Sequence, residues 1–256
     1  MSLAAGFSLG ISPPRLELHA NPGEALQQTL EIRNSGATAT QLQIELADWN
    51  LSADGELHLG QGQETLKDGC RPWILLSAPT VNVAPRQWLE YFFTVSVPPR
   101  QPAGECRFAV LLRDASQEHG RSTDHERRAA SFPATGQIAV IGYITVGAAR
   151  ADLTIEKIYL DVQATSPQIC VDFYNQGNAH TRVDGRLRGV AANGAVMNFL
   201  LPPLAVLPGE RRVVIARPLD PDGSHGNLVE WRPPISVQGK ITWPGGQYMV
   251  DKVLLP

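Results

Sequence analysis

An arginine that follows two prolines, in "GISPPRLELHANPGE", is the first residue of this chain whose type and setting point to chemistry. Leu16 and Leu18 fall on one face of an extended strand, and Arg15, Glu17 and His19 fall on the other. A guanidinium on such a strand either stays solvated or offers its planar fork to a carboxylate, which it can hold bidentately. Catalysis would need a nucleophile, a base and an orienting partner, or a metal constellation, and neither G-x-S-x-G nor H-E-x-x-H occurs. The expectation is a protein that is not an enzyme, with no catalytic residue, no metal and no cofactor. His119, Asp124 and His125 share one charged stretch and are expected to be solvated there. His180 and Arg182 follow "NQGN", where capping a turn or pairing with Asp184 across the strand is the expected role.

Composition narrows the partners. The chain has 256 residues, room for two ordinary domains, and a net charge of -3 with no block of like charges. Neither nucleic acid nor an anionic membrane is suggested. No apolar run reaches the roughly 18 residues of a membrane-spanning helix. The opening "MSLAAGFSLG" lacks the basic segment and apolar core of a secretory signal and reads as a short leader joined to a mature sequence. Three cysteines fit neither a zinc site nor a CxxC pair. Cys70 precedes one expected strand and Cys106 opens another, which permits a bridge; the alternative is three free, mostly buried thiols.

The elements that must position Arg15 are strands. Twenty prolines and 23 glycines punctuate short alternating runs, and almost no window shows helical apolar spacing. The expected fold is all-β, with two immunoglobulin-like β-sandwich domains in a bent, cleft-bearing arrangement. Domain one, 1–147, should hold seven strands near 7–20, 25–34, 40–50, 72–78, 87–97, 105–114 and 137–146. Domain two, 148–256, repeats the plan after the small residues of "VGAARADL". "LEIRNSG" and "VDFYNQGN" each end a strand in Asn-x-Gly, a pattern suited to a positive-φ turn. "VAPRQWLEYFFTV" and "VLPGERRVVIA" each set a proline-led turn before a strand. Trp49, Trp73 and Trp88 are expected in core or interdomain packing. The polar "QEHGRSTDHERRAASFPAT" joins the last two strands of domain one and has the length of a functional or mobile loop.

Taken in order, "SPPRLEL", "LEIRNSG", "PWILLSAP", "VAPRQWLEYFFTV", "AVLLRDAS" and "QIAVIGYITV" resemble the periplasmic pilus-assembly chaperones of the chaperone/usher pathway, as a divergent chaperone-like member. "FYNQGNAHTRVDGRL" with "AVLPGERRVVI" is similar to the second module of the chaperone-like relatives. The resemblance implies an exported, periplasmic protein that binds pilin-like subunits lacking a last strand, with an outer-membrane usher as a further partner. It implies that the last strand of domain one completes the subunit by β-strand addition. It also implies a first-strand arginine, here Arg15, and a last-strand lysine that together anchor the subunit's terminal carboxylate.

The chain departs from that pattern in two places. The lysine should fall near 137–142, where "QIAVIG" has none and Gln137 or Gly142 stands instead. Ahead of the strand only Phe132 offers a large apolar plug, next to Pro133, which removes a ladder donor. Ile138, Val140 and Ile144 alternate on one face with Gly142 between them; they either fill domain one's own core or face the subunit. The rival reading is a structural or adhesive surface module without chaperone activity. An apolar edge strand would also permit self-association.

Overall fold

Pro13 and Pro14 cut what reads as one long first strand into two. Without N–H groups they cannot continue a ladder, and the chain changes sheets across them. In the computed structural model, which describes residues 8–52, 55–60, 66–115, 137–164, 166–219 and 231–256, β1 (Leu9–Ser12) pairs antiparallel with β3 (Ala25–Asn34), while β2 (Arg15–Ala20) pairs parallel with β11 (Gln137–Val146). The chain divides into two compact units: Met1–Leu51 with Leu57–Ala148, and Ser52–Glu56 with Ala149–Pro256. Each is a β-sandwich, and no α-helix occurs among the described residues.

In unit 1 the remaining strands are β4 (Thr40–Ala47), β5 (Trp49–Leu51), β6 (Leu57–Leu59), β7 (Ile74–Leu76), β8 (Thr80–Val83), β9 (Trp88–Ser96) and β10 (Gly104–Asp114). One sheet runs β1-β3-β9-β7 and the other β2-β11-β10-β4-β8, with β5-β6 as a separate hairpin. Alternation sends Leu30 and Ile32, Phe93 and Val95, and Phe108, Val110 and Leu112 into the shared core, all of them at most 1% exposed. The expected strand at 40–50 divides at Asp48, whose buried carboxylate accepts the Arg71 N–H (3.0 Å) instead of pointing along a ladder. The strand expected at 72–78 shrinks to β7 after a 3-10 turn at Arg71–Trp73. β8 is not legible in the sequence, because its four residues lie between prolines at 79 and 85.

Unit 2 comprises β12 (Leu153–Asp161), β13 (Gln168–Asn175), β14 (Thr181–Arg182), β15 (Asp184–Ala191), β16 (Val196–Leu201), β17 (Ala205–Val206), β18 (Arg211–Ile215), β19 (Arg217–Leu219), β20 (Ile235–Trp243) and β21 (Gly246–Leu254). Its sheets run β12-β13-β18 and β19-β16-β15-β20-β21, with a short β14-β17 pair. Phe173, Leu187, Phe199, Val237 and Ile241 centre the core. Cys170 on β13 is a buried free thiol outside that core cluster, its pKa raised first by burial and then by the nearby Asp161 carboxylate.

The two sequence echoes prove to be one device used twice. Asn34 is buried, donates from Nδ2 to the carbonyls of Thr38 (2.8 Å) and Val83 (3.0 Å), and accepts the Gly36 N–H (2.9 Å). Asn175 donates to Ala179 (2.9 Å) and Val206 (3.0 Å) and accepts from Gly177 (3.0 Å) and Asp152 (3.1 Å). Each asparagine's own N–H reaches the proline-led turn, at Gln87 (3.0 Å) and Glu210 (3.1 Å). The positive φ belongs to those turns, at Arg86 (56°) and Gly209 (70°), and to neither glycine of the Asn-x-Gly pairs. Gly177 is required for space: a Cβ would lie 2.3 Å from the Arg150 carbonyl oxygen.

Candidate functional site: the half-open edge of β11

β11 is bordered on one side along its whole length by β10, from Gln137 opposite Arg113 to Val146 opposite Gly104. On the other side β2 covers it only from Ile141, opposite Arg15, to Val146, opposite Ala20. Over Gln137–Val140 that second side has no strand partner among the described residues.

The phase of the ladder says which groups the open side offers. The Arg107 N–H donates to the Asp68 carbonyl (2.8 Å), and the Arg107 carbonyl accepts from the Cys70 N–H (3.0 Å), both on the side of β10 away from β11. Its cross-strand neighbour Tyr143 must then turn its own N–H and C=O away from β10, towards β2. The Gly147 N–H, bonded to the Ala20 carbonyl (2.9 Å), continues the same phase. Carried back by twos, the phase leaves Gln137 and Ala139 with main-chain N–H and C=O directed at the open edge.

Side chains divide by face. Val140 and Ile144 are fully buried in unit 1's core, and Ile138 packs against it half-buried. Gly142 lies under the Phe108 ring, where a Cβ would come within 2.4 Å of it. Even-numbered positions of β11 thus point into the sandwich, where these four residues pack within unit 1. Phe132 lies outside the described residues, as do His119, Asp124 and His125.

Arg15, Gln137, Ala139 and Ile141 share the opposite, outer face. The Arg15 side chain is 41% exposed and its Nε donates to Glu17 Oε1 at 2.7 Å. This pair is local to β2 and engages one edge of the guanidinium. Four residues along from Arg15's position, roughly 13 Å at strand rise, the Arg113 Nε donates to Gln137 Oε1 (3.0 Å) and its Nη1 stands 3.4 Å from Glu45. Arg113 escaped sequence reading because only the register of β10 on β11 brings it to this edge. A shallow depression lined by Glu45, Leu111, Arg113 and Gln137 continues over the same face.

Beyond Ile141 the outer face is closed. Trp49 is buried there, edge-on to Tyr143 (5.0 Å), and its Nε1 donates to the Gly142 carbonyl (3.3 Å). Arg107, also buried, reaches Asp68 (3.3 Å) and lies 5.8 Å over the Trp49 ring. A disulfide between Cys70 and Cys106, Cα atoms 5.6 Å apart, fastens this cover to β10. The bridge permitted by the sequence is thus formed. Trp88 departs from expectation: it is 58% exposed, with the Arg33 guanidinium 5.0 Å above its ring. In unit 2, the Arg182 Nη1 donates to the Pro203 carbonyl (3.3 Å).

No protein-family model and no curated protein matches the sequence. Among solved structures, the chain is similar to the CupB2 chaperone of Pseudomonas aeruginosa, at 11% identity over 95% of this chain and 99% of that one, with a TM-score of 0.48. It is similar to a chain from the Salmonella enterica SafA pilin–SafB chaperone complex at 12% identity, over 98% and 99% of the two chains, with a TM-score of 0.47. For a chain of the CsuC–CsuE chaperone–tip adhesion subunit complex of Acinetobacter baumannii the identity is 16%, the coverage 87% and 97%, and the TM-score 0.43.

Proposed function

We propose that the protein is a periplasmic, pilus-assembly chaperone-like binder that captures an incomplete pilin-like subunit by adding a strand at Gln137–Val140. The single observation that carries this reading is that, among the described residues, β11 is paired on both sides from Ile141 onward and on one side before it. A strand with free N–H and C=O groups, next to one already capped, is a ready template for main-chain addition. An outer-membrane usher as receiver of the captured subunit follows from the sequence resemblance alone. The disulfide supports an oxidising compartment such as the periplasm.

Arg15 stands where the open stretch ends. A subunit carboxylate arriving there would exchange with Glu17 for the guanidinium, keeping a charge-assisted hydrogen bond. The test is capture from periplasmic extract of the source organism, followed by affinity measurement on the purified captured subunit. Arg15→Ala should weaken binding about tenfold, the equivalent of one such bond. Glu17→Gln, which releases the guanidinium, should strengthen it. Unchanged affinity in both variants would remove the anchoring role, and failure to recover any small β-rich subunit would favour the structural or adhesive module.

A further inference from the structure

The outer face of the five-stranded sheet of unit 2 carries a row of cations set against one another. Arg186 on β15 lies directly opposite Lys240 on β20, and Arg186 is in turn opposite Leu200 on β16, which is opposite Arg217 on β19. Arg188 stands two residues from Arg186 on the same face, and all four cations are exposed. Like charges directly opposite on neighbouring strands are destabilising, so this arrangement costs the free protein stability. None of the four has an acidic partner among the described residues. Arg211 on the other sheet is different: Glu156 holds it through two hydrogen bonds (2.7 and 2.8 Å), which drive the Glu156 carboxyl below the ordinary carboxylate range.

The row ends on apolar side chains that water surrounds. Met249, opposite Lys240 on the edge strand β21, is 65% exposed; Val253 is 62% and Val196 is 53% exposed. Two acids interrupt the same face, Asp184 and Asp251, the latter accepting from Gln238 (3.1 Å). They would repel a uniformly anionic polymer or lipid surface, whereas a protein surface can place carboxylates over the cations and apolar groups over Met249 and Val253.

We propose that this face of unit 2 docks a second protein whose surface presents carboxylates spaced among apolar side chains. Such a surface would relieve the Arg186–Lys240 repulsion and cover the exposed Met249. The inference is independent of strand capture, since it concerns another sheet in another unit.

The test is fluorescence anisotropy of the full chain with a labelled (Glu-Glu-Leu)6 peptide at low salt, with a poly-glutamate peptide of equal charge beside it. The (Glu-Glu-Leu)6 peptide should bind. Arg186→Glu with Lys240→Glu should weaken that binding about tenfold or more, whereas Lys67→Glu with Arg100→Glu, an equal charge change on exposed loops of unit 1, should leave it within about twofold. Met249→Ser should weaken (Glu-Glu-Leu)6 about threefold and leave poly-glutamate unchanged. Equal losses in both double variants, or indifference to Met249→Ser, would show attraction by net charge alone and overturn the proposal.

Discussion

Replacing Cys70 and Cys106 together by alanine is expected to lower the stability of unit 1 by about 3–4 kcal/mol, the loop-closure term for partners 36 residues apart. The bridge does more than shorten the unfolded chain. It fastens the stretch Asp68–Cys70 along β10, where the Asp68 carbonyl takes the Arg107 N–H and the Cys70 N–H takes the Arg107 carbonyl. Beneath that stretch Arg107 is 2% exposed, so loosening it would leave a buried guanidinium without its cover. Thermal unfolding should show the loss as a fall of about 10 °C in the unit 1 transition. Cys170→Ala, which removes the free sulfur of unit 2, should cost only about 1 kcal/mol. A double variant that unfolds within a degree or two of wild type would mean that packing alone holds the cover.

Asn175→Ala should destabilise unit 2 by about 3 kcal/mol, because it removes four hydrogen bonds at once, two of them to buried carbonyls. The carbonyls of Ala179 and Val206 lose their donor, and the N–H groups of Gly177 and Asp152 lose their acceptor. Asn175→Asp should be worse, since two acceptor oxygens would then face two carbonyls. Urea unfolding reads both, and Asn34→Ala should reproduce the effect in unit 1 through Thr38 and Val83. A cost below about 1 kcal/mol at Asn175 would show that water or local rearrangement satisfies these groups.

The same asparagines show how far sequence reading reaches. "LEIRNSG" and "VDFYNQGN" are legible as strand ends because alternation stops at a turn residue, and β3, β9, β10, β11 and β13 follow from alternation in the same way. The bonding that makes each asparagine a corner is not legible, since it joins residues as far apart as Asn34 and Val83. The division between β1 and β2 was written in Pro13–Pro14, but which sheet each half joins depends on pairing with β3 and β11. The site divides along the same line. Arg15 is singled out by type and position, whereas the half-open edge and Arg113 exist only once the register of β2 and β10 on β11 is fixed. Ile138, Val140, Gly142 and Ile144 are legible because they alternate. Alternation marks the buried face, and the groups directed at the open edge are main-chain atoms that every residue has.

That distinction selects the most direct measurement. Ala139→Pro removes one N–H that the ladder phase directs at the open edge and that β10 does not use, so the fold should keep its stability within about 1 kcal/mol. The proline ring and the missing donor should nevertheless block an added strand. Titration of the purified captured subunit by isothermal calorimetry should therefore give binding at least about tenfold weaker for Ala139→Pro than for wild type, with unit 1 unfolding at the same temperature. Equal affinity for the two proteins would contradict strand addition at β11 and place the subunit elsewhere on the molecule.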